Sequence, residues 1–446
     1  MASGTRLRIA ICGAGIGGLT AAVALSRYPD IEVEIFEAAE KLAELGAGVG
    51  IFPRPWEVIK KLHLEEELLR YTEAKPTDGP VPSFRYRRSD RAEGIEFYTL
   101  VTKGSLMTFH RPDFQNVLLR KLPSTYRIHC SKRLRSYSQR QGGPINLLFE
   151  DGTRASFDVL LGADGLKSAV RRSLLNEKVQ WAQSENNWSE AAHITTLIEP
   201  SWSGTNAYRA LIPADRLRIR DPHHRVFTQA TQYLGKNGYI IAYPIANGRM
   251  VNFVAFKSQH HLEHSKYHEA WVCPTDKTEF LGMFRDWEPE VQALLDCVEK
   301  PLRWAIHTVK PLNSFVSGNV AILGDAAHAM LPHQGSGAGQ AIEDAYILGL
   351  LLGHPSTTRA TLSRALQIYD DIRRPFSQRV QERSRLNGQY FTLSCQEIDF
   401  NAIPEHEMLT KLKILGKVFT KNWEWAWMSS LGGSVEEAMR LIESTE

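Results

Sequence analysis

The chain has 446 residues, of which 43% are hydrophobic and 23% are charged. This length and apolar content allow a large buried core divided over two or three structural units, and they exclude a disordered chain. The formal net charge of +3 is small, and the basic clusters at 85–88 and 131–135 are short, so nucleic-acid binding is not expected.

Cysteine and histidine patterns argue against disulfide and metal chemistry. The 5 cysteines are odd in number, widely spaced and without a C-x-x-C pair, which indicates a reducing compartment. The histidines between 223 and 264 lack the spacing of a zinc site, so no metal site is predicted. The apolar stretch 9–25 contains four glycines, unlike a signal peptide, and no run reaches membrane-spanning length. We therefore expect a cytoplasmic protein without a membrane span.

The first elements of the chain have the order of a dinucleotide-binding unit. The apolar run 6–12 predicts a buried strand, which leads directly into the sequence GAGIGG at 13–18. The alanine- and leucine-rich run 19–27 predicts a helix, and alternation at 32–37 predicts a second strand that ends in Glu37. An acidic residue about 20 positions after a G-x-G-x-x-G motif is the expected ribose ligand.

Each glycine of this motif has a physical role. Gly13 permits the tight turn, Gly15 lets backbone N–H groups approach a pyrophosphate, and Gly18 lets the helix pack on the strand. The positive end of the helix dipole then stabilises the phosphate anion. Glu37 favours a free ribose 2′-hydroxyl, because its carboxylate would repel the 2′-phosphate of NADP.

A second glycine-rich segment, 45–51, lacks the spacing of a nucleotide fingerprint. It predicts either close approach of backbone to a flat ligand or an ordinary flexible loop. A helix is expected at 56–69, and another opens at His110 and runs to about Lys121. Arg111 at its start either points into the site or forms a salt bridge, and the pattern alone favours the salt bridge.

Two further strand–turn–helix passages carry an aspartate. The apolar strand that starts near Phe157 continues through Asp164-Gly165 into a helix, after antiparallel strands at 127–149. The strand 320–323 ends in Gly324-Asp325 and is followed by a glycine-rich loop and a helix that continues to 352. Such turns at the carboxyl end of a sheet are usual ligand-binding positions.

From about 180 to 300 the helical periodicity disappears, and short alternating strands predict a mostly β domain. Strands at 208–212, 238–243 and 249–256 have inward faces able to line an aromatic-binding cavity. A long polar helix is expected at 363–387, kinked or restarted at Pro375, and an amphipathic tail follows. The tail tryptophans Trp423, Trp425 and Trp427 either cover the core or form a dimer surface, and the core is favoured.

The motifs at 13–18, 158–171 and 324–344 together resemble the single-component FAD-dependent aromatic hydroxylases. The sequence PHQG at 332–335, followed by GAGQ at 337–340, is similar to the salicylate hydroxylase-like branch. The resemblance implies a p-hydroxybenzoate hydroxylase-like α/β fold, with a Rossmann-type FAD-binding domain, an inserted mostly β substrate domain and a C-terminal helical segment. The expected boundaries are 1–75, 102–180 and 301–375 for the FAD-binding domain, 76–101 and 181–300 for the substrate domain, and 376–446 for the helical region.

Residue roles follow from this resemblance position by position. The three motif glycines would hold the FAD pyrophosphate, Glu37 the adenosine ribose, Asp164 the flavin and the passing nicotinamide cofactor, and Asp325 the ribityl chain. The glycine loop after Gln334 would meet the isoalloxazine ring. The complete expected cofactor set is Gly13, Gly15, Gly18, Glu37, Ala47, Gly48, Arg111, Asp164, Asp325, Gly335, Gly337, Ala338 and Gly339.

The implied reaction is hydroxylation of a phenol through a flavin C4a-hydroperoxide, with NADH as reductant, or NADPH as the alternative, and molecular oxygen as the second substrate. His333 is the expected catalytic residue, because an imidazole can take a phenol proton near neutral pH. The alternative for His333 is a structural histidine. One Rossmann fingerprint and the lack of a cysteine pair disfavour disulfide reductases and two-Rossmann monooxygenases.

The expected substrate is a small phenolic acid, foremost salicylate, which would be converted to catechol with loss of carbon dioxide. Substrate-binding candidates are Arg249 and Arg209, for the carboxylate, with Tyr243 and Pro332 beside them. Each arginine is also explained as a surface or ion-pair residue. Another hydroxybenzoate, a larger natural-product substrate and a non-catalytic FAD-binding interaction protein remain alternatives, and either a monomer or a homodimer is expected.

Overall fold

A computed structural model describes residues 4–42, 48–72, 74–140, 143–245, 248–395, 398–400 and 402–444. The strands are β1 Leu7–Cys12, β2 Ile31–Phe36, β3 Gly48–Ile51, β4 Pro80–Arg88, β5 Ile95–Lys103, β6 Met107–His110, β7 Arg127–His129, β8 Leu134–Ser138, β9 Ile145–Phe149, β10 Arg154–Phe157, β11 Val159–Gly162, β12 Ser201–Pro213, β13 Thr231–Gly235, β14 Gly238–Ile245, β15 Met250–Ser258, β16 Val272–Pro274, β17 Leu302–Thr308, β18 Val316–Ser317 and β19 Val320–Ile322. The helices are α1 Ile16–Leu25, α2 Pro53–Lys61, α3 Glu65–Leu68, α4 Arg111–Lys121, α5 Ala169–Ser184, α6 Trp188–Ile198, α7 Ala214–Arg220, α8 Thr278–Leu281, α9 Pro289–Cys297, α10 Asp325–His328, α11 Gly337–Gly353, α12 Leu362–Phe391, α13 Glu405–Trp423, α14 Trp425–Met428 and α15 Gly432–Glu443. Short 3₁₀ turns occupy Leu69–Tyr71, Arg225–Phe227, His260–Leu262, Gly282–Phe284 and Pro332–Gln334.

A 6-stranded sheet with the order β18-β19-β11-β1-β2-β7 forms the nucleotide-binding half. Its strands are parallel except for β18, which pairs antiparallel with β19. The central strands are nearly continuous apolar runs, as expected when helices cover both faces of a parallel sheet. Helix α1 packs against α11 on this sheet. The predicted α/β fold with a Rossmann-type unit is confirmed.

An 8-stranded mixed sheet forms the second half, in the order β16-β17-β12-β15-β14-β13-β4-β5. Strands β4 and β5 join it through the parallel pairing of β4 with β13, so the segment 76–101, which the predicted boundaries assign to the substrate domain, lies mostly in this sheet. Strand β17, which the predicted boundaries assign to the FAD-binding domain, pairs with β12 in this sheet. The domain boundaries themselves stay a prediction.

The segment expected to lack helices contains several. Helix α5 continues to Ser184, α6 follows at once, and α9 lies at the end of the segment. Mixed polar and apolar residues hide the periodicity of α5 and α6, whose N-caps Ser168 and Asn187 accept from backbone N–H groups. The helix expected at 363–387 runs without a break from Leu362 to Phe391, although Pro375 lies inside it.

The C-terminal helices close the gap between the two sheets. Helix α13 packs on β5 and α12, while α14 contacts α2. Trp423, Trp425 and Trp427 are all buried, which agrees with the favoured core interpretation of these tryptophans. A buried aromatic side chain of this size contributes about 1.5–3 kcal/mol by removal from water. No helix in the described ranges is long and apolar enough to cross a membrane.

Candidate active site

Four neighbouring parallel strands, β19, β11, β1 and β2, end at one edge of the 6-stranded sheet. Register places Cys12 beside both Gly162 and Phe36, and Gly162 beside Ile322. The sequence motifs at 13–18, 164–165 and 324–325, together with Glu37, immediately follow these strand ends. The fold therefore brings three distant motifs to the carboxyl edge of the sheet, where α/β proteins bind their ligands.

The loop after β1 requires glycine at both of its close contacts. Gly13 has a φ of +102°, and a Cβ there would lie 2.2 Å from the Ala163 carbonyl oxygen. A Cβ on Gly18 would lie 2.0 Å from the Gly13 carbonyl oxygen. Gly15 is the N-cap of α1, so the positive end of this helix faces the loop. Both contacts are with backbone, which cannot move aside for a side chain.

Glu37 shapes the same loop. One carboxylate oxygen accepts from the Ala14 N–H at 2.8 Å, and the other accepts from the Ala39 N–H at 2.8 Å. The carboxylate thus stands directly beside the glycine loop, at the position expected for a ribose ligand. On the other side of the loop, the Gln115 amide of α4 donates to the Ala14 carbonyl at 2.9 Å.

Asp164 lies against Gly13 and also caps α5. Its carboxylate accepts from the Ser168 hydroxyl at 2.5 Å and from the backbone N–H groups of Ala169 and Val170. Burial raises the pKa of Asp164, and the hydrogen bonds from Ser168 and the helix N-terminus act in the opposite direction. The neighbouring Arg171 is 1% exposed and donates to the Leu166 carbonyl at 2.6 Å and the Ala326 carbonyl at 3.0 Å, which ties the two aspartate-bearing turns together.

Asp325 and the glycines after Gln334 leave space for a ligand. The Asp325 side chain is exposed and makes no hydrogen bond or ion pair with the residues that the structure describes. A Cβ at Gly335 or Gly337 would meet no atom within 4 Å, whereas a Cβ at Gly339 would lie 2.9 Å from Pro55. Gly339 therefore serves the packing of α11 on α2, and Gly335 and Gly337 border open space.

A short antiparallel ladder, β3–β6, places Gly48 next to the residue that precedes Arg111. Gly48 of β3 pairs with His110 of β6, which directly precedes Arg111 at the start of α4. Ala338 is partly buried and packs against the core of the nucleotide-binding half. Ala47 lies outside the described residues.

His333 is buried at the junction of the two sheets. Its Nδ1 lies 2.7 Å from the Tyr239 hydroxyl of β14, and its ring lies 5.4 Å from that of Phe256. The opposite edge of the ring rests on α12, where a Cβ on Gly388 would lie 2.5 Å from Nε2. Burial, with a smaller contribution from His260, lowers the pKa of His333 from 6.5 to about 3, so the ring is neutral at pH 7.

Tyr239 is a site residue that the sequence did not single out. It is 3% exposed and stacks on Phe256 with ring centroids 4.4 Å apart, so its hydroxyl is aimed at His333. Burial raises the pKa of Tyr239 well above 10. The alternation at 238–243 predicts a strand, but it does not show whether Tyr239 or Tyr243 of that strand contacts His333. Only the pairing of β14 with β15 decides that.

The two candidate arginines have different surroundings. Arg209 pairs with Val254, and Val254 pairs with Ile241, which places Arg209 on the same sheet face as Tyr239, two strands away across the sheet and about 7 Å along the strands. Its guanidinium lies 6.0 Å from the ring of Trp304, and it forms no hydrogen bond or ion pair within the described ranges.

Arg249 is exposed at the far end of the β14–β15 hairpin. The Tyr239–Phe256 pair lies near the opposite end of this hairpin, six residue pairs and about 20 Å along the strands from the Ile245–Met250 pair that follows Arg249. Tyr243 lies on the Arg209 face, where burial raises its pKa and Arg209 opposes this rise. Pro332 is exposed at the start of the 3₁₀ turn that carries His333.

A buried ionic network connects the Gly324 turn with α11 and α12, and no sequence pattern predicts it. Arg373, which is 0% exposed, donates to Asp344 and Glu343 at 2.8 Å each. Asp344 also bonds His328 at 2.5 Å and the Gly324 N–H, while Glu343 accepts from Arg54. Burial raises the pKa of Asp344, but His328 and Arg373 outweigh it and lower that pKa to about 2.

Similarity to known proteins agrees with this geometry. A family model described as an FAD binding domain matches residues 6–234 and 297–384. The chain belongs to the FAD-dependent aromatic hydroxylases, in their salicylate hydroxylase-like branch. It is therefore an FAD-dependent aromatic monooxygenase, and the open glycine loop, the exposed Asp325 and the positive ends of α1 and α11 fit that cofactor.

Three relatives match over nearly their full length. A salicylate hydroxylase of Pseudomonas putida is 34% identical over 440 residues, which cover 97% of this chain and 94% of the relative. The FAD-dependent monooxygenase str9 of Strobilurus tenacellus is 34% identical over 472 residues, covering 99% of each chain. A solved salicylate hydroxylase in a substrate complex superimposes with a TM-score of 0.83 at 29% identity, over 97% of this chain and 98% of that chain.

Proposed function

We propose that this aromatic hydroxylase acts on a small phenolic acid, with salicylate as the first candidate, and uses NADH as its reductant. The observation that carries the proposal is the combination on one sheet face of the buried Tyr239–His333 pair and Arg209. The two backbone positions lie about 12 Å apart, since two strand spacings separate them across the sheet and two residues along it, so the long Arg209 side chain and the Tyr239 hydroxyl can face the carboxylate and the hydroxyl group of one aromatic ring. The salicylate hydroxylase relatives support the same class of substrate.

For salicylate the balanced reaction is salicylate, NADH, O₂ and two protons giving catechol, CO₂, NAD⁺ and water. Bound FAD, once reduced by NADH, supplies the activation of oxygen. The protein has three tasks: to hold the carboxylate, to accept the phenol proton and to exclude water. Arg209 performs the first task, and removal of the phenol proton makes the ring carbon a stronger nucleophile.

His333 and Tyr239 manage this proton. With the Tyr239 hydroxyl donating to Nδ1, the phenol proton reaches His333 through Tyr239, because the hydroxyl oxygen accepts a proton as it releases its own. The lowered pKa of His333 keeps the ring neutral before substrate binds. An anionic substrate then raises the proton affinity of the imidazole, since opposite charges nearby favour the charged form.

The test is NADH oxidation and product analysis across a panel of hydroxybenzoates with the purified holoenzyme. Salicylate is expected to accelerate NADH oxidation and to give catechol and CO₂. Preference for a different hydroxybenzoate would retain the flavin chemistry and replace salicylate. Failure of every phenolic acid to accelerate oxidation would contradict the proposal and favour a larger aromatic substrate or a non-catalytic role.

The carboxylate contact is tested separately by Arg209→Met. Loss of a charge-assisted hydrogen bond costs about 1.5–3 kcal/mol, so the KM for salicylate should rise roughly ten- to a hundredfold while FAD stays bound. Arg249→Met, at the exposed end of the neighbouring β14–β15 hairpin, is the control and should leave KM unchanged. The reverse ranking of the two variants would move the carboxylate site to Arg249.

A further inference from the structure

Gln334, which follows His333 in the chain, anchors their common loop to the C-terminal helices by hydrogen bonds. Gln334 is 0% exposed, and its backbone N–H donates to the Ser384 hydroxyl of α12 at 3.2 Å. Its side-chain amide donates to the carbonyl oxygens of Arg383 at 3.2 Å and Asn422 at 3.3 Å. The loop is therefore fixed from the C-terminal side by helices α12 and α13.

The remaining side-chain hydrogen bond of Gln334 comes from Trp425, the first residue of α14. The Trp425 Nε1–H donates to the Gln334 Oε1 at 3.2 Å. Trp425 is itself held in place: its ring meets Phe376 edge-on at 5.6 Å, and its carbonyl accepts from the Ser429 hydroxyl at 2.6 Å. Arg54 donates to the same Ser429 hydroxyl at 2.9 Å, so the segment is joined to the buried ionic network.

We propose that Trp425 is a positioning residue for proton transfer, acting through Gln334 on His333. Gln334 and His333 belong to the same 3₁₀ turn, Pro332–Gln334. A shift of Gln334 therefore moves the imidazole relative to Tyr239. Without the indole N–H, the Gln334 carbonyl oxygen is a buried acceptor that has lost its donor, which favours rearrangement of the turn. This inference rests on the proposed function of His333.

A matched pair of variants isolates the hydrogen bond from the ring. Trp425→Phe removes the N–H and keeps an aromatic ring in place. Trp423→Phe makes the same change two residues earlier, where the buried Nε1 of Trp423 has no hydrogen-bond partner among the described residues. Both tryptophans are buried and pack on aromatic neighbours, so the loss of ring area is similar.

The experiment measures catechol formed per NADH consumed in holoenzyme, together with the ¹⁵N signals of the His333 ring, assigned by comparison with His333→Asn. In Trp425→Phe the yield per NADH should fall on the order of fivefold, the factor that one ordinary hydrogen bond carries, and the ring signals should shift. Trp423→Phe should match the parent in both readouts, and FAD content should be the same in all three proteins.

The inference is overturned if Trp425→Phe and Trp423→Phe give the same yield and the same ring signals. If Trp425→Phe does not fold, Gln334→Met removes the same bond from its other end, together with the two bonds that the amide donates, and should show at least the same loss; an unchanged yield and unchanged ring signals in Gln334→Met would also overturn the inference. If the parent enzyme forms no product from any phenolic acid, the proposed function fails. The ring signals then still decide whether Trp425 positions His333.

Discussion

The proposed flavin-binding edge, at the carboxyl ends of β19, β11, β1 and β2, and the proposed substrate side, around Tyr239 and His333, are built in different ways. At the flavin-binding edge, each functional group lies within a few residues of a strand end, and adjacent parallel strands bring these ends together. On the substrate side, Tyr239, His333 and Gly388 come from a strand, a 3₁₀ turn and a long helix that are far apart in the chain. Local backbone geometry defines the first region, and long-range side-chain packing defines the second.

The two regions share one structural base, the buried ionic network. Asp344 reaches the Gly324 N–H at the flavin-binding edge, while Glu343 and Arg54 lead to the C-terminal segment. A substitution in either region should therefore affect that region alone, whereas a substitution in the network should affect both. The following variants test this separation.

The largest effect is expected from Arg373→Met. This change leaves two buried carboxylates with one cationic partner fewer, and breaking a buried ion pair in this way costs about 3–5 kcal/mol. Denaturant unfolding should show this loss of stability, accompanied by weaker FAD binding and weaker substrate binding. The control is Arg440→Met, which breaks the exposed pair with Glu437 on α15 and should leave the stability and both binding steps almost unchanged. Equal effects of the two variants would contradict the claim that the ionic network stabilises both regions.

Gly18→Ala should damage the flavin-binding edge alone. The new Cβ would lie 2.0 Å from the Gly13 carbonyl oxygen, which must displace the loop at a cost of about 2 kcal/mol. FAD affinity, measured from the flavin-to-protein ratio after dialysis, should fall roughly thirtyfold. Gly433→Ala, at an exposed helical position where a Cβ meets no atom within 4 Å, should leave that ratio unchanged. Undiminished FAD binding by Gly18→Ala would show that the loop can relax.

His333→Asn should change the acid stability through the substrate side alone. Burial, with a smaller contribution from His260, lowers the pKa of His333 from 6.5 to about 3, so between these values the unfolded chain binds one proton more than the folded protein. The stability contributed by neutral His333 is present above pH 6.5 and is lost as pH falls toward 3, by about 1.4 kcal/mol per pH unit. Urea unfolding at several pH values should therefore give a shallower loss for His333→Asn than for the parent. A parallel loss in both proteins would contradict the neutral buried imidazole, and His193→Asn on exposed α6 is the surface control.

These differences explain what could be predicted from sequence. Gly13, Gly18, Glu37 and Asp164 were recognisable because strand, turn and helix follow one another within short stretches. The same locality allowed the family resemblance, which the comparisons confirm. The particular roles assigned to these residues stay predictions, and Gly339 has a packing contact that its motif did not reveal.

The substrate side could not be predicted in this way, because its contacts depend on register and on packing between distant elements. Arg209 and Arg249 were equivalent candidates in sequence, and only the pairing of β12, β14 and β15 separates them. Tyr239 and Arg373 lie in no recognisable motif, so their contacts could not be predicted. The end of α5 and helix α6 do not follow from the sequence pattern, because exposed tryptophans, Trp181 and Trp188, obscure the 3.6-residue period there.

The most direct test of the central claim is the catechol yield and the flavin content of His333→Asn. Asparagine can still bond the Tyr239 hydroxyl but cannot take up a proton. We predict that the variant keeps FAD at the ratio of the parent enzyme and forms catechol at least about a hundredfold more slowly. Retention of FAD with an unchanged catechol yield would contradict the role of His333 as the proton acceptor.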